Sequence, residues 1–135
     1  IADKDFRNDA VDAGEIGAGH TVTAFYEVEM NPKHQGTLAY VRVRHKEPEG
    51  YKASEQIFML QGDDVRGRVS DASRDFQFGA AVVAFAEILR GSPYAKGLSY
   101  QLVEEIARPA ASANQKDRQE FLGLVQKARL LAKKG

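Results

Sequence analysis

The sequence predicts an α+β fold: an antiparallel sheet, made of a hairpin plus at least one further strand, followed by three helices packed on it. Three observations lead there. The first half of the chain alternates polar and apolar residues with period two. The second half repeats apolar residues with helical spacing, between recognisable start and stop signals. Strand-type patterns first and helix-type patterns second belong to α+β domains. With 135 residues, the chain fits one domain over 1–135, with a β part to about residue 68 and an α part from about residue 70.

The first strand is expected over His20–Met30. Val22, Ala24, Tyr26, Val28 and Met30 fall on one face, and Thr21, Thr23, Phe25, Glu27 and Glu29 on the other. This is the pattern of a half-buried strand. Asn31–Gly36 is a turn cluster. Thr37–His45 alternates again, with Ala39, Val41 and Val43 against Leu38, Tyr40, Arg42 and Arg44. The two runs make a hairpin whose register can be tested by face. Met30 opposite Thr37 places Val28 by Ala39, Tyr26 by Val41 and Ala24 by Val43, all core types. The same register brings Glu27 and Glu29 near Arg42 and Arg44, and Phe25 under Arg42. A one-residue slip would destroy both agreements.

Glu47–Lys52 contains Pro48 and Gly50 and reads as a loop. Ser54–Leu60 is the third strand, and Gln61–Gly67 is a turn. Ser73 is a helix N-cap, with Asp75 placed to favour the dipole. That helix runs from about Arg74 to Arg90 and stops at Gly91-Ser92-Pro93. Phe76, Ala80, Val83 and Ile88 share one side, and Phe78, Val82, Phe85 and Leu89 another. A helix apolar nearly all round is expected to be covered on several sides. A shorter helix fits Leu98–Ala107. Asn114 and Asp117 resemble a capping box before a last helix with Phe121, Leu124, Val125, Ala128 and Leu131.

Composition removes several functions. With no Cys, there is no disulfide framework, thiolate zinc site or cysteine nucleophile. Lys plus Arg and Asp plus Glu each number 19, which disfavours non-specific nucleic-acid binding. The charge is uneven: Ile1–Glu15 has five acids to two bases, and Lys116–Lys134 has six bases to two acids. Such ends could attract each other or a neighbouring domain. The longest apolar run, Ala80–Ala86, falls far short of a membrane span. The opening Ile-Ala-Asp suggests a piece of a longer protein.

The chemistry-bearing patterns are weak. Gly14, Gly17 and Gly19 precede a strand, whereas a dinucleotide loop needs them after a strand and before a helix. His20, His34 and His45 have no zinc spacing, although His20 and His45 would meet at the open end of the hairpin. Asp63, Asp64, Asp71 and Asp75 lack the alternating ligands of a calcium loop. No metal or cofactor is expected. Tyr40, Arg42 and Arg44 share one strand face. They read either as a solvated face or as a contact patch, since Tyr and Arg are enriched at interfaces.

Four segments resemble a known family in order. They are Asn8–Val28 (NDAVDAGEIGAGHTVTAFYEV), Leu38–Pro48 (LAYVRVRHKEP), Phe76–Ser92 (FQFGAAVVAFAEILRGS) and Arg118–Ala128 (RQEFLGLVQKA). Together they are similar to the region C-terminal to the von Willebrand factor type A domain in bacterial YfbK-type proteins. The resemblance implies a non-catalytic accessory module that packs on or orients that neighbour. It also implies an extracytoplasmic or membrane-associated parent, and preceding strands whose absence leaves a sheet edge open to pairing, including with a second copy. The family's metal motif, Asp-x-Ser-x-Ser, belongs to the type A domain. Asp71-Ala-Ser-Arg-Asp75 departs from it at the last position, so no metal ligand carries over. The competing expectation is a small-molecule-binding or enzymatic domain with a site between sheet and helices.

Overall fold

The structure is a computed structural model and describes residues 5–10, 14, 16–17, 19–31, 36–48 and 50–132. It holds a two-stranded antiparallel sheet and three α-helices, an α+β arrangement. The chain divides into two compact units, Ile1–Val65 and Arg66–Gly135.

The first unit contains β1 (Ala39–His45) and β2 (Ser54–Leu60). Their register sets Val41 against Phe58, Arg42 against Ile57 and Arg44 against Glu55. The turn between them is pinned by Gly50, whose N–H donates to the Glu47 carbonyl at 2.7 Å. A Cβ on Gly50 would stand 2.9 Å from that backbone oxygen, so a side chain cannot be added without moving the turn.

Here the structure corrects the expected hairpin. Residues 20–30 form no strand, and among the described residues β1 pairs with Ser54–Leu60, the expected further strand. The observed ladder has favourable pairs of its own. The observed register joins opposite charges directly, Arg44 with Glu55, and sets Phe58 across from β-branched Val41. Direct cross-strand pairs of these kinds stabilise a ladder more than diagonal ones. The expected burial of Val41 and Val43 also fails, since both are exposed. A sheet of two strands has nothing to cover that face.

The second unit contains α1 (Arg74–Leu89), α2 (Tyr100–Ala107) and α3 (Lys116–Ala132). Ser73 caps α1 as expected, its side chain accepting from the Phe76 N–H. The helix ends in a Schellman arrangement: Gly91 N–H donates to Ile88 O at 3.1 Å and Ser92 N–H to Glu87 O at 3.0 Å. Gly91 takes φ +63°, the left-handed turn glycine adopts at least cost. α2 starts two residues later than expected, because Ser99 caps it by accepting from Leu102 N–H.

The capping box expected at Asn114 does not form. The Gln119 N–H donates to Gln115 O at 3.1 Å, and the Gln115 side chain accepts from Ser112 N–H at 3.0 Å. The Ser112 hydroxyl lies 2.7 Å from both Asn114 Oδ1 and Gln115 Oε1; its single proton serves one at a time.

Ala81, Ala84, Val103, Ala107, Ala111, Leu122 and Val125 form the buried centre of this unit. Phe78, Phe85, Tyr100 and Phe121 close around it. Phe121 meets Phe78 and Phe85 edge-on, at centroid distances of 5.2 and 5.5 Å, a favoured geometry. Within this unit α1 is not buried all round as its composition suggested: Phe76, Val82, Val83 and Leu89 remain exposed. The alanines explain part of this. Ala81 and Ala84 pack inward, flanked by Phe78, Phe85 and Ile88, so the contact occupies one side of the helix and Phe76, Val82, Val83 and Leu89 lie off it.

Candidate interaction face

Tyr40, Arg42 and Arg44 alternate along β1 and therefore share one face of the sheet. Across the ladder, that face continues into Met59, Ile57 and Glu55. The three side chains have different fates. Tyr40 is 57% exposed. The Arg42 guanidinium lies 6.0 Å from the Tyr40 ring centroid and 4.0 Å from Glu55. Arg44 is drawn in, its side chain only 17% exposed.

Arg44 is held by the N-terminal segment as well as by β2. Its Nη2 donates to Asp9 Oδ1 at 2.6 Å, its Nη1 donates to Glu55 Oε2 at 3.4 Å, and its guanidinium sits 6.0 Å from the Phe6 ring centroid. Arg7 binds the same Glu55 through two donors, at 2.9 and 3.1 Å, the forked geometry that suits guanidinium and carboxylate. Asp9 is fixed further by Lys46, whose Nζ donates to the Asp9 carbonyl at 2.6 Å, and by the Ala53 N–H at 3.5 Å.

These contacts move the acids. The Arg7 hydrogen bond holds the Glu55 carboxyl below its ordinary value, with partial burial opposing and Arg44 assisting. For Asp9, burial pulls upward, but the Ala53 N–H, Arg44 and Lys46 outweigh it and the carboxyl is also lowered. Glu55 in turn raises the Arg7 guanidinium.

Sequence reading found the arginines but missed Asp9, Glu55 and Arg7. Glu27 and Glu29, expected to neutralise the arginines, make no ion pair with them. A signal for Glu55 was present: it faces Arg44 once Ser54–Leu60 is given β1 as its neighbour. The acidic surplus before Gly14 was the only sign of Asp9.

The other candidate residues are dispersed. His45 lies 3.7 Å from Glu47, while the His20 ring packs against Gly17. His34 lies outside the described residues. Among the described residues no group of three or more His, Asp or Glu side chains is placed to hold a metal ion. No described helix is long and apolar enough to cross a membrane. In the helical unit an open depression is lined by Phe78 and by residues from Asn114 to Arg118. Its arginine is already engaged: Arg118 donates to Asp75 and to the Ala110 carbonyl, and lies over the Phe78 ring at 4.7 Å.

Comparison with known proteins agrees with the resemblance of the four segments. The model of a family described as "Uncharacterized protein YfbK, C-terminal" matches residues 1–37 and 29–131. The chain belongs to the YfbK C-terminal family. It is 32% identical, over 143 aligned positions, to the uncharacterized protein YfbK of Escherichia coli strain K12. That alignment covers 91% of this chain but 24% of the relative, so the chain spans about a quarter of the curated YfbK protein it matches. No solved structure matches it.

Proposed function

We propose that this YfbK-type C-terminal region is a non-catalytic interaction module that docks on a neighbouring von Willebrand factor type A domain of its parent chain. One observation carries the reading: Tyr40, Arg42, Ile57 and Met59 form an exposed patch on a sheet face. Beside it the Arg44–Asp9–Glu55–Arg7 network fixes the strands. Tyr and Arg anchors beside exposed aliphatic side chains are the composition of a contact surface. A patch on a braced sheet loses less side-chain and backbone freedom on docking than one on a loop.

The test is association in trans. The chain, with the double substitution Tyr40→Ala and Arg42→Ser, is titrated into the purified remainder of its parent protein. Binding at least tenfold weaker than that of the unaltered chain is expected, since interface anchors cost about 1–2 kcal/mol or more on truncation. Equal affinity of the two would sink the reading.

A further inference from the structure

We propose that α1 carries the interface of a twofold-symmetric dimer, in which two copies of this chain pack their open α1 faces antiparallel. The twofold axis passes between Val82 and Val83.

The face is apolar and exposed. Val82 and Val83 are each 39% exposed and Leu89 59%; Ala86 is exposed and Gly79 half-buried. The buried residues of α1, Gln77, Ala81 and Ala84, lie on the opposite side of the helix by its 3.6-residue period. The same period puts Gly79 and Ala86 on the centre line of the open face. Val82 and Leu89 run along one edge of it and Val83 along the other. Asp75, in the first turn, and Arg90, the C-cap, stand near the centre line at its two ends.

The charges select the partner. Asp75 is paired within the chain with Arg118, and Arg90 with Glu87. In each pair the residue at the end of the face is the open one. The Asp75 side chain is 85% exposed against 20% for Arg118, and Arg90 64% against 19% for Glu87. Each therefore has room for a second opposite charge.

The spacing is self-complementary. Asp75 and Arg90 stand equally far along the sequence from the point between Val82 and Val83, and so do Gly79 and Ala86. An antiparallel second copy thus sets Asp75 against its Arg90, and Arg90 against its Asp75. Gly79 meets Ala86 in the same way, and these small side chains let the helices approach while the valines pack about the axis. A twofold interface requires this reciprocity, residue i meeting j and j meeting i. A parallel copy would set like charges together at both ends, which disfavours it. The dimer covers the side of an almost wholly apolar helix that α2 and α3 leave in water.

The test is sedimentation of the 135-residue chain. One helix face buries less than about 1,200 Å² in all, so the dimer is weak and the series runs to about 1 mM. The unaltered chain is expected to dimerise with rising concentration. Asp75→Arg alone sets two cations together, and Arg90→Asp alone sets two anions together. Each variant is expected to self-associate at least tenfold more weakly. Mixed in equal amounts, the two are expected to recover association, because every cross-pair is again of opposite sign. Ala86→Lys, at an exposed position away from the buried centre, is expected to weaken the dimer without touching the end charges. An unaltered chain that stays monomeric throughout would overturn the proposal. So would a dimer indifferent to Ala86→Lys, or a mixture no stronger than its components.

Discussion

At the scale of single residues, a few side chains and one backbone angle determine local geometry. Gln77 is buried, and its polar ends are spent: Nε2 donates to the Ser70 and Ala72 carbonyls at 3.1 and 2.8 Å, and Oε1 accepts from Arg74. It anchors the chain just before α1, and nothing in its local pattern distinguishes it from a surface glutamine. Glu104 is also buried, between Arg108 at 3.3 Å and Arg129 at 3.2 Å. Arg129 Nη1 is close enough for charge attraction but misaligned for a hydrogen bond, so Glu104 Oε1 has none among the described residues. Arg108 stands four residues on, at helix spacing, whereas Arg129 lies on another helix. Gly91 gives the clearest residue-level test. An added Cβ would touch nothing, so Gly91→Ala carries only the strain of φ +63°, roughly 1–2 kcal/mol. Gly91→Asn should cost less, because asparagine tolerates the left-handed region. Thermal melts of the two variants check this ordering.

At the scale of elements, the N-terminal segment and the two strands are tied by charge. The sign of their acid response follows from the shifts of Glu55 and Asp9. Both carboxyls are lowered in the folded chain. Their stabilisation is therefore fully present above the ordinary carboxylate range, near pH 4. It is lost as pH falls through the lowered values. The N-terminal segment should release from β1 in that window, before the helices respond. Side-chain NMR of Arg44 and ring shifts of Phe6 would follow it; a contact persisting after both carboxyls protonate would contradict it. Element boundaries were legible because their signals are local. Ser73, Gly91 and the apolar run Ile57–Leu60 each act within a few residues. The error at His20–Met30 has the opposite origin. Alternation makes a segment fit to be a strand but does not say which neighbour it takes.

At the scale of the whole molecule, the two units rest on different forces. Arg66–Gly135 has a continuous buried centre drawn from all three helices. Among the described residues, Ile1–Val65 shows one two-stranded ladder and exposed or half-buried ion pairs, and exposed pairs stabilise little. A fragment of residues 66–135 is therefore expected to keep its helical circular dichroism and melt cooperatively, while a fragment of residues 1–65 is expected to lack a cooperative transition. A non-cooperative melt of the helical fragment would refute the first expectation. By itself the sequence determined the α+β class, the cap and stop of α1 and most element ends, because these depend on contacts a few residues apart. Only the tertiary structure decided that β1 pairs with Ser54–Leu60, that Arg44 faces inward to Asp9 and Glu55 while Tyr40 and Arg42 stay open, and that Glu104 is buried against α3. Those outcomes turn on contacts between residues distant in the chain, where many pairings satisfy the same local pattern and charge and packing select among them.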